Sequence, residues 1–391
     1  MPAESTPGDS GIPGPPGAGP PRHRAAKGRR RASRAEGRGT GHRRGRGKRS
    51  TGLRIATWTA AGIVLLGGTG AGYVYFKLNG NLKSIDIDHL LGSDRPTKAD
   101  NGSQNILVLG SDTRSGDNRQ LGGGADDGSA RSDTAMIVHV YEGRKEASVV
   151  SLPRDTLIDR PECVDAGGGT HPAADGVMFN SAYSTGGAAC AVKTVESLTG
   201  IRMDHYLEVD FSGFEKLVDE LGGVEVTTTE RIDDPDSHLN LPAGTHRLTG
   251  EQALGLVRTR HGVGDGSDLG RIQLQQAFIK ALVEQVKNVG LLTDPKGLYD
   301  LADTATKSVT TDSDLGSVNS LVSWAGGLKN ISADRMTMVT MPVQYDPADG
   351  NRVLLDEAKA DQVWKALKAD RPIPKSATKN TATGQADGVL R

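Results

Sequence analysis

The sequence predicts an α/β layered domain, a sheet with helices packed against it, occupying the chain from about residue 105 onward. Three observations predict it. Asn105–Leu109 (NILVL) is a short continuous apolar run, the pattern of a central strand buried on both faces. Ala135–Tyr141 and Ala147–Ser151 are rich in β-branched residues and flank a polar, Gly-bearing turn, the mark of a β-hairpin. From Ala188 to Thr228, apolar residues at helical spacing alternate with strand-like runs, the order expected of helices laid on a sheet.

Ahead of this domain the chain is strongly partitioned. Residues 1–54 carry 14 Lys and Arg against 3 Asp and Glu, so the formal net charge of −1 conceals a basic end and an acidic remainder. The basic end has almost nothing apolar to offset the entropy of ordering it, and disorder is expected there. Ile55–Phe76 holds no charged residue; at roughly 1.5 Å per residue it spans about 33 Å, a bilayer core. With Trp58 and the Tyr73/Tyr75 pair near its ends and the Arg run before it, this segment reads as a single transmembrane helix. Residues 1–54 would then be cytoplasmic, and everything beyond about Lys77 would lie outside the cell membrane. A cleaved signal peptide is the alternative, although no clear small-x-small cleavage site follows. The Arg run is expected to set topology and meet anionic lipid; without an aromatic or helical reading element, nucleic acid is not an expected partner. Residues 77–104 read as a tether of mixed polarity.

Inside the domain, NILVL runs into GSDTR, which offers Asp112 and Arg114 at the C-terminal edge of the strand, where open α/β sheets place ligands. Asp117–Ala130 is Gly/Asp-rich and reads as a flexible lid. In an antiparallel hairpin the start of the first strand lies beside the end of the second. Arg131 and Asp133 should therefore meet Arg154 and Asp155 at one sheet edge. A long loop carrying Cys163 follows. In an exported domain Cys163 and Cys190 are expected to form a disulfide, contributing roughly 3.5 kcal/mol by loop closure.

Ala188–Leu198 reads as a helix ending at Gly200, His205–Val209 as a strand, Gly213–Leu221 as a helix and Val224–Thr228 as a strand. Thr249 and Gln252 form a capping box for a helix over Glu251–Val257, which delivers Arg258 and Arg260 at its end. Asp268 is the expected N-cap of a helix over Leu269–Val289. That helix has an apolar stripe of Ile272, Phe278, Ile279, Leu282, Val283 and Val286, and Arg271 in its first turn. Residues 291–372 should add two helices, a strand at Met336–Met341 and a last helix at Leu355–Lys368 to the same domain, the core of which is 105–290. Residues 373–391 are polar without periodicity, and disorder is expected.

Arg131, Arg154, Arg258, Arg260 and Arg271 each fall at the end of an element and not along a solvent face. A planar guanidinium makes paired hydrogen bonds to phosphate and stays charged at any working pH. Asp112 and Asp133 are hard oxygen ligands of the type Mg²⁺ accepts while sharing phosphate oxygens, so Mg²⁺ or another divalent ion such as Mn²⁺ is the expected cofactor. Together, with Arg114, they read as a pyrophosphate site. For an exported, membrane-tethered domain the fitting pyrophosphate is one anchored in lipid. The plainer reading of any one such pair is a surface salt bridge.

NILVLGSDTR, RSDTAMIVHV, SLPRDT, FNSAYSTGG, SLTGIRMDHYLEVDF, LGGVEV and ALGLVRTR…DLGRIQLQQ, in this order from Asn105 to about Leu282, closely resemble the LytR–CpsA–Psr proteins. The resemblance implies an α/β/α fold with a central, mainly antiparallel or mixed sheet and helices enclosing an apolar channel for a polyprenyl tail. It implies transfer of a glycopolymer (teichoic acid, capsule or arabinogalactan) from a polyprenyl-pyrophosphate carrier to peptidoglycan, at the C6-OH of N-acetylmuramic acid. Carried over by motif, Asp112 and Asp133 match the Mg²⁺ ligands, and Arg131, Arg154, Arg258, Arg260, Arg271 and Gln275 match the residues around the pyrophosphate. Arg131 and Arg154 would offset charge during transfer, and Asp155 or Asp268 would take the proton of the attacking hydroxyl.

Two positions depart from the family pattern. Leu274 stands where RxxRQ has its second Arg, and Met178 where KINxAY has Lys. Rival readings are a non-catalytic receptor for the carrier or an anionic polymer, a pyrophosphatase, and a transcriptional regulator, the last opposed by the position of Ile55–Phe76. Aromatic residues are only 4 % of the chain, so no sugar-stacking platform is legible.

Overall fold

A computed structural model describes residues 69–112, 131–261, 263, 266–289, 294–379, 381–382 and 388–390. The basic segment 1–54, most of Ile55–Phe76, Arg114 and the Asp117–Ala130 loop lie outside the described residues, as do the side chains of Asp112 and Arg131. Among the described residues no helix is long and apolar enough to cross a membrane.

Residues 69–81 are helical. After them come β1 (Lys83–Ile85), α1 (Ile87–Leu91), β2 (Gln104–Asp112), β3 (Arg131–Val140) and β4 (Ala147–Leu152). β5 (Thr156–Arg160), β6 (Cys163–Val164), β7 (Thr170–His171) and β8 (Ala174–Met178) lead to α2 (Asn180–Thr199), β9 (His205–Asp210) and α3 (Phe211–Glu220). β10 (Val224–Thr228), β11 (Ile232–Asp234), β12 (Leu239–Leu241) and β13 (Gly244–Leu248) precede α4 (Gly250–Arg258), α5 (Asp268–Asn288) and α6 (Pro295–Ser308). The remaining elements are β14 (Val309–Asp312), α7 (Val318–Leu328), β15 (Met336–Thr340), β16 (Val343–Tyr345), β17 (Val353–Leu355) and α8 (Glu357–Lys368).

The principal sheet is mixed and seven-stranded, in the order β1-β14-β9-β2-β3-β4-β15. β3 is antiparallel to both neighbours, while β2 pairs parallel with β9 and β4 with β15. The pleat sends alternate side chains to opposite faces. Leu107, Leu109, Ile137, Val150 and Leu152 therefore enter one core with Val192 and Val195 of α2 and Val363 and Trp364 of α8. Ile106, Val140 and Ala147 point the other way, toward Trp324 and Leu328 of α7. A separate cluster joins α3, α4, α5 and the antiparallel β10–β13 pair through Val218, Leu248, Leu256, Leu274 and Phe278. The result is the mixed α/β architecture the sequence predicts.

Several local expectations do not hold. The tether expected over 77–104 belongs to the domain: β1 pairs parallel with β14, and Leu78, Ile87 and Leu91 are buried. The Arg95 guanidinium is buried beside Glu196, donating to its carboxylate at 2.6 and 2.9 Å and to the Met203 carbonyl at 2.9 Å. Elements of three and five residues are too short to show a period. The long loop after the hairpin holds β5 and β8, which join β16 and β17 in a second sheet, ordered β16-β17-β5-β8. Its strands lie far apart in the chain, so no local pattern announces it. Residues 373–391 are not wholly without structure. Lys375–Thr378 is a 3₁₀ turn with Ala377 buried, and Leu390, itself buried, bridges to Thr228.

The disulfide is formed between Cys163 and Cys190, both buried, with Cα atoms 5.3 Å apart. It meets α2 where Gly186 and Gly187 break the helical path: Gly187 has φ +64°, and any side chain at Gly186 would collide with the Cys190 sulfur. The helix beyond this break starts at Ala188 and is capped by Gly200, as its spacing predicts; the shorter helical stretch before the break, from Asn180, is the part the spacing does not reveal.

Candidate active site

One edge of the principal sheet gathers the functional side chains. Where β2 ends and β3 begins, Gly110 faces Thr134, Ser111 faces Ser132 and Asp112 faces Arg131. The register thus leaves Asp133 unpaired, a bulge that re-aims its carboxylate. A Cβ on Gly110 would press to 3.3 Å on the Thr134 Cβ, so glycine lets the two strands lie close at this point. Arg154 follows β4 and donates from Nη1 to Asp133 Oδ1 at 2.5 Å, with the Asp155 carboxylate 3.6 Å from its Nε. The two ends of the hairpin meet as the sequence requires.

The N-terminus of α5 closes on the same edge. Ser267, not Asp268, is its N-cap, the hydroxyl accepting from the Gly270 N–H. Ser and Asp are nearly equivalent caps, so their order could not be read locally. Released from capping, the Asp268 carboxylate lies 2.5 Å from Arg271 Nη2, 3.2 Å from Arg154 Nε and 3.9 Å from Arg260 Nη2. A single anion therefore collects three guanidinium groups delivered by three separate turns.

Arg271 Nη2 also donates to the Asp133 carbonyl at 3.1 Å, closing the ring of contacts. The Gln275 amide ties α5 to its neighbours, donating to Thr134 Oγ1 at 3.1 Å and to the Val257 carbonyl at 2.8 Å. Arg258 stacks over the Phe211 ring at 5.3 Å. The buried side of α5 is consequently its first three turns, including Arg271 and Gln275, while Val286 of the expected apolar stripe is exposed. Leu274 is buried in the core with Phe278, so this departure from the family pattern fills a core position and does not line the pocket. Met178 is half-buried at the end of β8, facing Leu157.

Burial and charge compete throughout the cluster. Arg271 is 4 % exposed. Burial pulls its guanidinium down to about 10, still far above neutral pH, so it stays charged. Burial pushes the Asp268 carboxyl above its ordinary range even though Arg271, Arg154 and Arg260 pull it back. Burial also disfavours charge on Arg154, but the carboxylates of Asp268, Asp133 and Asp155 more than reverse this and raise it.

Two carboxylates that the sequence reading missed hold the site from behind. Asp234, 1 % exposed at the end of β11, accepts backbone N–H bonds from Arg260 at 2.8 Å, His261 at 3.0 Å and Asp236 at 2.9 Å. It fastens the turn that carries Arg258 and Arg260. Its signal was present as an Asp-Pro turn, DDPDSH. Asp234, Asp236 and His261 cluster closely enough for a metal, but these backbone bonds occupy the Asp234 oxygens. Glu208 of β9, beside Leu109 of β2, accepts from Tyr183 at 2.7 Å and from Tyr206 in a buried network. No periodicity marks it.

Two clefts flank the guanidinium cluster. One of about 290 Å³ is lined by Asp133, Phe211, Arg258, Arg260, Arg271 and Gln275. The other, about 300 Å³, is lined by Arg154, Asp155, Arg260, Asp268 and the β16–β17 hairpin. Of the sequence-predicted residues, Asp133, Arg154, Asp155, Arg258, Arg260, Asp268, Arg271 and Gln275 converge here. The backbones of Asp112 and Arg131 face each other at the same edge; Arg114 lies outside the described residues. Asp133 supplies a hard carboxylate oxygen suited to a divalent ion, next to the strand end that carries Asp112.

A profile of the LytR_cpsA_psr family matches residues 74–369. The chain belongs to this family. It is 31 % identical over 366 residues to the cell wall biosynthesis protein LcpA of Corynebacterium glutamicum, covering 85 % of this chain and 68 % of that one. It is 29 % identical to the polyisoprenyl-teichoic acid–peptidoglycan teichoic acid transferase TagT of Bacillus subtilis, over 81 % of this chain and 94 % of TagT. Among solved structures, the LytR-Csp2A-Psr enzyme of Actinomyces oris superposes with a TM-score of 0.54 at 22 % identity, over 73 % of this chain and 96 % of that one. The family fold therefore extends from within the helix over 69–81 to the end of α8, wider than the blocks that first suggested it.

Proposed function

We propose that the protein is a phosphotransferase that moves a glycopolymer from a polyprenyl-pyrophosphate carrier onto peptidoglycan at the outer face of the cell membrane. One observation carries this reading: the loop after β4, the end of α4 and the start of α5 deliver Arg154, Arg260 and Arg271 to a single carboxylate, with Arg258 and Gln275 in the adjoining cleft. Such a site is built for a dense, fixed anion, and the names of LcpA and TagT fit the same chemistry.

In the proposed reaction an acceptor sugar hydroxyl, taken as the C6-OH of N-acetylmuramic acid, attacks the phosphorus on the glycan side of the pyrophosphate. Polyprenyl phosphate leaves. Arg154, Arg258, Arg260 and Arg271 hold the phosphate oxygens and offset their charge, which is most of what phosphoryl transfer asks of a protein. Asp155 or Asp268 receives the hydroxyl proton. Mg²⁺, or another divalent ion such as Mn²⁺, would be held by Asp133 and Asp112; when bound it supplies positive charge to the phosphate oxygens. Arg131 and Arg114 would extend the same cationic surface.

The polyprenyl tail would lie along the sheet face toward α7, where Val108, Val138, Leu207 and Met336 are only half-buried. Ile55–Phe76 would anchor the chain as a single-pass span with its N-terminus cytoplasmic. The test is transfer from a short-chain pyrophosphate donor to peptidoglycan fragments by Asp133→Ala and Arg154→Ala proteins. Transfer at the wild-type rate would defeat the assignment. Release of phosphate products without ligated glycan would instead identify a pyrophosphatase.

A further inference from the structure

The second cleft lies on the Arg154 and Asp155 side of the cluster and shares Arg260 with the first. Part of its lining is the β16–β17 hairpin, which contributes Tyr345, Asn351 and Arg352 to the cleft that Asp155 and Asp268 also line. The hairpin is fixed to the catalytic edge: β17 pairs parallel with β5, and the Val353 N–H donates to the Asp155 carbonyl at 3.3 Å. Its turn is ordered from within. The Arg352 N–H donates to the Asp349 carbonyl at 2.8 Å, and the Asn351 N–H to Asp349 Oδ1 at 2.9 Å.

The aromatic residue of the first cleft, Phe211, is buried under Arg258, whereas the aromatic residue of this cleft is open to solvent. Tyr345 is 42 % exposed in a chain poor in aromatic residues, and it lines the cleft. An aromatic face, a side-chain amide and carboxylates are the groups that recognise a sugar ring: the ring covers apolar C–H faces, and the polar groups take hydroxyl and acetamido hydrogen bonds. In-line displacement also requires the attacking oxygen to approach phosphorus from the side opposite the leaving oxygen. Arg258, Gln275 and Asp133 line one cleft, Asp155 and Asp268 the other, and Arg260 lines both. The reacting phosphorus would sit at that junction.

We propose that the cleft under the β16–β17 hairpin is the acceptor subsite, taking a sugar of a peptidoglycan glycan strand, with Tyr345 and Asn351 determining its specificity. The proposal rests on the transferase reading. In the step it serves, the acceptor oxygen bonds to phosphorus as the bond from phosphorus to the bridging oxygen breaks. Polyprenyl phosphate leaves with that electron pair, and the hydroxyl proton passes to Asp155, which lines the same cleft.

The test uses full-length protein in detergent and a tetrasaccharide fragment of peptidoglycan glycan. Binding of the fragment is measured calorimetrically without donor, and KM is measured for donor and acceptor separately. Tyr345→Ala and Asn351→Ala are each expected to raise the fragment Kd and the acceptor KM by roughly three- to tenfold, the loss of one aromatic or amide contact. Donor KM and Tm stay at wild-type values, and Tyr345→Trp restores binding. An unchanged fragment Kd in both variants overturns the proposal, as does a rise confined to donor KM, which would assign the cleft to the carrier's own sugar. Should the wild type bind the fragment through Tyr345 yet transfer nothing, the subsite stands and the transferase reading falls.

Discussion

Asp268→Ala tests whether one carboxylate organises the cationic pocket. It strips Arg271 of its partner at 2.5 Å while that guanidinium remains almost wholly buried. Arg154 loses a contact at 3.2 Å but keeps Asp133, and Arg260 is over a third exposed, so nearly the whole cost falls on Arg271. Leaving one buried charge unpaired costs about 3–5 kcal/mol, whereas removing both members of a pair is far milder. The double variant Asp268→Ala/Arg271→Met should therefore recover most of the loss, ending within about 1–2 kcal/mol of wild type. Urea unfolding of the full-length protein, read by far-UV circular dichroism, supplies the four corners of the cycle. A single Ala variant within about 1 kcal/mol of wild type would refute the coupling, and so would a double variant costing the sum of the two singles.

Arg260→Lys keeps the charge but loses the planar fork, and transfer is expected to fall by about 10²-fold with little change in Tm, checked by single-turnover kinetics. Burial would raise the Asp234 carboxyl, yet the N–H bonds of Arg260, His261, Asp236 and Ser237 hold it below the usual carboxylate range. Its stabilising contribution is thus present above about pH 4 and lost as pH falls through the depressed value. Asp234→Ala should lower Tm near neutrality and flatten the acid side of the Tm profile; a parallel profile would count against the clamp. Chelation should suppress transfer, with Mg²⁺ or Mn²⁺ restoring it, and Asp133→Asn should weaken metal binding measured by calorimetry; chelator-insensitive transfer would remove the metal from the proposal. Reducing the Cys163–Cys190 bond, whose ends are 27 residues apart, should cost about 3.5 kcal/mol, read as a lower urea midpoint under dithiothreitol.

Much of the site was legible because its parts are local. Arg154 sits beside Asp133 for the reason that hairpin ends meet, and Arg258 and Arg260 follow from a capping box that fixes where α4 starts. What escaped was non-local. β5, β8, β16 and β17 show no joint pattern until the chain is folded, so the hairpin bearing Tyr345 was invisible. Asp234 looks like any turn aspartate until Arg260 arrives from α4. The 77–104 stretch failed for another reason. Its burial rests on a few anchors, Leu78, Ile87, Leu91 and Arg95, spaced too irregularly to register as a face.

Two strands of the principal sheet, β14 and β15, come late in the polypeptide. Lys83 waits for Thr310, and Ala147 waits for Met336. A chain delivered N-terminus first would leave β9 and β4 as bare hydrogen-bonding rims until those partners arrive, an invitation to pair with a neighbouring nascent copy. Closure of the sheet therefore waits on the final third of the chain.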